Sequence, residues 1–286
     1  MRLERVDCNL CGGSSSSSDL VTEKEGLSVV RCRGCSLVYV SPRPSAADLA
    51  SLYRDPSYFQ GSDWYLDYLG NEPNYRRLFR RLLDLLERQH PGRGRLLDVG
   101  CAAGFLLDTA RSDGWQVAGV ELSPAMADHA EKRLGLAVHR GELAAAGFAD
   151  ASFDAVTFCD SIEHMTDPLG ALAEARRVLR SNGTLLVMTP NVGSSLARCM
   201  GRHWPHLTPR EHIYYFSAET LRQALEKASF RPFERRAIGH YWTLGEIVRK
   251  LAPPAGRIAA APAVRRLFAV SLYLNVGDLV MMARAA

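Results

Sequence analysis

"LLDVGCAAG", residues 96–104, decides how this chain folds. An apolar run reaches Asp98, and two glycines follow with three residues between them. A strand that ends this way exposes bare main chain at its carboxyl end. Gly100 permits a tight turn, and Gly104 lets the next helix pack close to the strand. A strand, a glycine-rich turn and a helix in immediate succession form the ligand end of a doubly wound α/β sheet.

Outward from this turn, short apolar runs alternate with amphipathic stretches. The patterning predicts strands over 95–99, 116–121, 136–139, 153–159, 183–189, 231–238 and 277–284. It predicts helices over 104–112, 124–134, 169–180 and 218–228. Ser123 before Pro124 reads as a helix start with a capping hydroxyl, and Ser217 as a similar cap. Gly114 suits a helix exit. Strands alternating with helices call for a parallel sheet covered on both faces. Upstream, Tyr75, Leu78, Phe79, Leu82, Leu83 and Leu86 recur at the helical period and predict a helix from about Pro73 to Gln89.

The second strand ends in "GVELS", 119–123, and places Glu121 where a carboxylate can accept hydrogen bonds from both hydroxyls of a ribose. A dinucleotide site would show G-x-G-x-x-G and a pyrophosphate on the helix N-terminus. Here the run is G-C-A-A-G, and Asp98 adds negative charge beside the turn. That charge suits a cationic ligand without phosphate. S-adenosylmethionine, with a sulfonium, an ammonium and a ribose, is one.

On these residues the sequence resembles class I S-adenosylmethionine-dependent methyltransferases. "GELAAAGFADASFDAVTFCDSIEHM", 141–165, is similar to the segment carrying the adenine-side acid and the fourth strand. "ALAEARRVLRSNGTLLVMTPN", 171–191, is similar to the helix and fifth strand. "HLTPREHIYYFSAETLRQALEKASF", 206–230, resembles a stretch of the subgroup with ubiquinone-type O-methyltransferases and many natural-product and sugar methyltransferases. Ala102 stands where the family commonly has glycine. The resemblance implies a doubly wound, seven-stranded Rossmann-like sheet and a cofactor site of Asp98, Gly100, Cys101, Gly104, Glu121, Leu122, Glu142 and Asp160. Glu121 would hold the ribose, Glu142 would meet the adenine amino group, and Asp160 would lie near the methionine portion or the substrate.

Methyl transfer requires alignment and, for a hydroxyl acceptor, proton removal. His164, His203, His206 and His212 are the candidates, with His212 favoured as base or substrate orienter because it follows the fifth strand. His164 has a second reading. "DSIEHMTDP" resembles the segment in which ubiquinone-type enzymes associate two acids and a histidine with a divalent cation, which would put Mg2+ on Asp160, Glu163 and His164. The aromatics Tyr53, Tyr58, Phe59, Trp64, Tyr65 and Tyr68 suggest a lid in which Tyr58 and Phe59 touch cofactor or substrate.

Before the sheet, Cys8-x-x-Cys11 and Cys32-x-x-Cys35 are separated by 20 residues. This is the spacing of two knuckles sharing one tetrahedral four-thiolate zinc site, with Gly12 and Gly34 helping the turns. Four sulfurs leave no open position, so the ion would be structural. Two disulfides and a rubredoxin-type iron site are the competing readings. Some members of the subgroup carry a similar ribbon. The run Ser14–Ser18 reads as a loop tip and "SPRPS", 41–45, as an extended linker. The expected organisation is a zinc ribbon over 1–40, a linker and helical lid over 41–94, and the α/β domain over 95–286 with a helical insertion at about 242–275.

The chain has 286 residues, 47% hydrophobic and 23% charged, with a net charge of +4. No uninterrupted apolar run reaches the length of a spanning helix. The N-terminal residues lack the apolar core of a signal peptide, which places the protein in the cytoplasm with its thiols reduced. Residues 231–286 hold nine Lys/Arg against three Asp/Glu, and the rest of the chain is slightly acidic. A solvated basic face or a peripheral membrane contact fits this tail. The ribbon's basic residues are not interleaved with stacking aromatics, so no nucleic-acid partner is expected. A small metabolite is the expected substrate, methylated at O, N or C, by a monomer or homodimer. The competing functions are an RNA-modifying enzyme and a catalytically silent scaffold.

Overall fold

The chain opens with a small β unit in the computed structural model, which describes residues 2–59, 68–251 and 268–286. Its strands are β1 (Leu3–Glu4), β2 (Ser18–Lys24), β3 (Leu27–Cys32), β4 (Val38–Val40) and β5 (Arg43–Pro44). Helices α1 (Ala46–Arg54) and α2 (Glu72–Gln89) lead to β6 (Arg95–Val99), α3 (Phe105–Ser112), β7 (Gln116–Glu121), α4 (Pro124–Leu134) and β8 (Val138–Arg140). Next come β9 (Phe153–Cys159), α5 (Pro168–Val178), β10 (Leu179–Pro190), α6 (Ser195–Met200), β11 (Tyr214–Tyr215) and α7 (Ala218–Lys227). The last elements are β12 (Phe230–Thr243), α8 (Leu244–Leu251) and β13 (Ser271–Ala285).

Seven strands form the main sheet in the order β12-β13-β10-β9-β6-β7-β8. The expected doubly wound α/β sheet is present, but it is mixed rather than all parallel. β13 runs antiparallel to both of its neighbours. The five strands from β8 to β10 are parallel. Alternate residues of β6 point into different cores: Leu97 and Val99 into one, Leu96 into the other. α2 buries Leu78, Leu82, Leu83 and Leu86 and begins one residue before the predicted Pro73.

The predicted cap at Ser217 is present, and with Thr220 it forms a capping box. Ser123 differs. Its hydroxyl makes no cap bond, and its backbone N–H donates to Glu121 instead. β8 starts at Val138 rather than at the expected residue 136, because the left-handed Gly135 ends α4 and Leu136 folds back into the core. The serine run forms a short 3-10 turn at Ser15–Ser17 and then enters β2 instead of standing as a loop tip.

The amino-terminal unit does not close on itself. β2, β3 and β4 form an antiparallel sheet whose fourth strand is β11, drawn from the segment between β10 and α7. β5, within the expected linker, pairs with β1. The Asn9 amide donates to Asp167, its carbonyl oxygen accepts from Leu169 N, and Lys227 donates to Leu10 O. Cys8 and Leu10 share one core with Phe216 and Leu221. Near the carboxyl end, the flanks of the expected helical insertion are the extended hairpin of β12 and β13 with α8. The segment 252–267 lies outside the described residues, as do Trp64 and Tyr65.

Candidate active site

Two cavities open at the carboxyl ends of the parallel strands, and Asp160 and Tyr75 border both. The larger holds about 400 Å³, within the ~300–1,000 Å³ usual for ligand sites. The turn after β6 forms one wall. There Gly100 has φ +79, and a Cβ would fall 2.6 Å from that of Ser161. Gly104, with φ +82, lies off the cavity wall. A Cβ there would meet Leu136 Cδ1 at 2.5 Å and Ala130 Cβ at 3.0 Å, so this glycine serves the packing of the start of α3 against the end of α4.

Of the predicted cofactor residues, Asp98, Gly100, Cys101, Glu121, Leu122, Glu142 and Asp160 line the larger cavity. Asp98 accepts a hydrogen bond from Thr157 Oγ1 at 2.6 Å, and burial pushes its carboxyl up to about 7. The Glu121 carboxylate accepts from Ala102 N and Ser123 N, both at 2.7 Å. These bonds fix its plane. Burial raises its pKa while the backbone N–H groups oppose the rise. The cavity has no lysine or arginine among its described lining residues. It has six carboxylates and an aromatic side built from Tyr53, Tyr58, Phe59, Tyr68 and Tyr75.

The smaller cavity, about 110 Å³, lies beyond Asp160 and is lined also by Glu163, His206, His212 and His240. Asp160 sits in the left-handed region at φ +48. Its pKa is raised well above the usual carboxylate range, first by burial and then by Glu163 and Asp278. Glu163 Oε2 accepts from Thr189 Oγ1 at 3.0 Å, and burial pushes the group up to about 8. His212 Nδ1 lies 2.7 Å from the carbonyl of His206 and must donate to it. Burial drives this imidazole down to about 3. His164 borders the larger cavity, with Nδ1 2.9 Å from Tyr53 Oη and 3.0 Å from Glu211 O. Burial lowers its pKa, and His212 adds to the effect. His203 is exposed in a 3-10 turn and borders neither cavity.

The trio Asp160, Glu163 and His164 does not converge as the sequence suggested. Glu163 and His164 group with His212, while Asp160 groups with His240 and Asp278. The sequence reading missed these last two. Asp278 carried one signal, a lone acid inside the apolar run "VGDLVMM".

In the amino-terminal unit, Cys8, Cys11, Cys32 and Cys35 bring their sulfurs within 4.8 Å of one another. The Cys8–Cys35 and Cys11–Cys32 separations are both 3.4 Å, far beyond a disulfide bond of about 2.05 Å. Gly12 is left-handed as expected, but in the second knuckle Ser36 takes that role instead of Gly34.

Comparison with known proteins follows the same lines. A family described as "Methyltransferase domain" matches residues 71–234. A "Probable S-adenosylmethionine-dependent methyltransferase" of Mycolicibacterium smegmatis is 30% identical over 205 residues, 71% of this chain and 73% of its own. A malonyl-[acyl-carrier protein] O-methyltransferase of Erwinia pyrifoliae is 38% identical over 118 residues, which span less than half of either chain (38% and 43%). A "possible histamine N-methyltransferase" structure from Thermotoga maritima superposes with a TM-score of 0.52 at 23% identity, over 77% of this chain and 95% of that one. With more than half of its length matched by this family, over a segment that includes the glycine turn and Glu121, the chain belongs to the methyltransferase-domain family and is an S-adenosylmethionine-dependent methyltransferase.

Proposed function

We propose that the larger cavity holds S-adenosylmethionine, and that the smaller one receives a small-molecule acceptor methylated on oxygen. The observation that carries the first part is the charge of the wall: six carboxylates and no lysine or arginine among the described lining residues. Such a wall repels phosphates and favours a ligand with cationic groups and hydroxyls. Glu121, its plane set by two backbone N–H groups, keeps lone pairs for the ribose hydroxyls. Asp98 and Gly100 face the methionine end, with Cys101 and Leu122 beside them, and Glu142 faces the adenine amino group. The tyrosines add π faces suited to a sulfonium.

The bound cofactor supplies a methyl group on a good leaving sulfur. The protein's part is alignment and handling of the acceptor's proton. Asp160, between the cavities, borders the line of transfer. His212 stays neutral at working pH; with Nδ1 donating to His206, its other ring nitrogen orients the acceptor and receives its hydroxyl proton as the methyl leaves sulfur, and His164, also neutral, backs it. The smaller cavity's size and its histidine and carboxylate wall support a compact, polar acceptor. The O-methyltransferase among the relatives supports oxygen as the target.

The four cysteines hold a structural zinc ion. The 3.4 Å sulfur separations lie near the ~3.8 Å edge of a tetrahedron with ~2.3 Å Zn–S bonds, which supports this reading. The substrate proposal is tested by incubating the enzyme with methyl-labelled cofactor and matched pools of small hydroxylated or carboxylated metabolites, amines and total tRNA. Label in the oxygen-bearing pool is expected. Label confined to tRNA or to amines would overturn it.

A further inference from the structure

One buried acid has no part in the scheme above. Asp278 lies on β13, opposite Pro190 of β10 and Ile238 of β12, with its side chain sealed from solvent. Neither carboxylate oxygen accepts a hydrogen bond. Oδ1 is 3.4 Å from Nε2 of His206, and Oδ2 is 3.5 Å from Nε2 of His240. The same His240 nitrogen is 3.7 Å from Oδ2 of Asp160, whose other oxygen is buried without a hydrogen bond. Among the described residues lining the smaller cavity there is no lysine or arginine to balance these acids.

The spacings discriminate between explanations. Charge-assisted hydrogen bonds to a carboxylate run at about 2.7–2.9 Å. Donors bound to one ion at about 2.0–2.2 Å, with angles near 110–120°, stand roughly 3.3–3.8 Å apart. The separations of 3.5 and 3.7 Å fall in the second range. A buried carboxylate with unsatisfied oxygens is also a mark of an unfilled ion position. We infer that Asp160 Oδ2, His240 Nε2 and Asp278 Oδ2 form a binding site for a divalent transition-metal ion. Two carboxylates and an imidazole suit Mn2+, Fe2+, Co2+ or Zn2+.

Asp160 and His240 line the smaller cavity and Asp278 stands behind them, so the open side of the ion would face that cavity. An acceptor bound through oxygen is the class such an ion favours. This role rests on the acceptor reading of the cavity, whereas the ion site itself does not.

The test is titration of the protein, dialysed free of loosely held metal with its four-thiolate zinc retained, with Mn2+, and free Mn2+ is read by electron paramagnetic resonance. Mn2+ is chosen because a four-thiolate site prefers softer ions. One Mn2+ per chain is expected. Affinity should fall at least tenfold in both Asp278→Asn and His240→Ala, and stay within twofold in Glu163→Gln, which probes the neighbouring Glu163–His164–His212 group. His240 is partly exposed, so its variant decides the matter if Asp278→Asn does not fold. No Mn2+ bound by the wild type, undiminished binding in His240→Ala, or equal loss in Glu163→Gln would overturn the proposal. S-adenosylhomocysteine titration of the same samples reports separately on the cofactor cavity.

Discussion

Glu121 and Asp98 are both buried acids beside the glycine turn, yet the backbone treats them differently. Glu121 is gripped by two N–H groups at 2.7 Å, so its carboxylate is presented in a fixed plane. Asp98 has one hydroxyl donor and a pKa pushed up to about 7. Hydrogen bonds to a charged group contribute about 1.5–3 kcal/mol each, so Glu121→Ala, which removes the acceptor for both ribose hydroxyls, should weaken S-adenosylhomocysteine binding by roughly a hundredfold or more. Calorimetry measures it, and unchanged affinity would remove the ribose role. At this scale the sequence was informative where chemistry follows spacing. Gly100 and Glu121 lie where a strand, a turn and the next strand must put them. His240 and Asp278 were not legible as partners, because their meeting depends on the register of an antiparallel hairpin and on a bulge between Ile238 and His240. Periodicity in one segment carries no information about cross-strand register.

The cysteine knuckles are the clearest case among the elements. Paired Cys-x-x-Cys spacing foretold four converging sulfurs, and these converge. The spacing did not reveal that β11 would complete the amino-terminal sheet. A two-residue strand, Tyr214–Tyr215, has no period to detect, and its pairing with Val38 and Tyr39 is a long-range event. The five helices given bounds from the sequence were read within a residue or two because each buries its own stripe, as α2 does with Leu78, Leu82 and Leu86; α1, α6 and α8 were not bounded. Since β11 begins two residues after His212, loosening the knuckles should reach the smaller cavity. Cys11→Ser should lower the metal content to below one zinc per chain and expose the first 45 residues to protease. Mass spectrometry of native protein and limited digestion read these two effects. An unchanged zinc content with full protease resistance would contradict the four-thiolate reading.

Across the whole molecule, buried acids surround the two cavities: burial holds Asp98 and Glu211 near 7 and Glu163 near 8. In the unfolded chain such groups ionise near 4. At these three groups the folded protein therefore binds more protons between about pH 4 and pH 8, while the buried His164 and His212 act in the opposite sense below about pH 6.5, where the unfolded imidazoles are charged. The stability these groups contribute is full below that window and is lost as pH rises through it. Urea midpoints of the ligand-free protein should fall from pH 7 to pH 8.5, where the histidines are neutral in both states, and Glu163→Gln should flatten the slope. A midpoint that rises over this range would contradict the assignment. Cofactor binding should oppose the trend, because a cation in the larger cavity stabilises the ionised acids. The measurement that bears most directly on the account is therefore a calorimetric titration of the intact protein at neutral pH with S-adenosylhomocysteine and, separately, with NAD+. The account predicts one S-adenosylhomocysteine per chain and no binding of the dinucleotide; a folded protein that ignores the first ligand or prefers the second would contradict it.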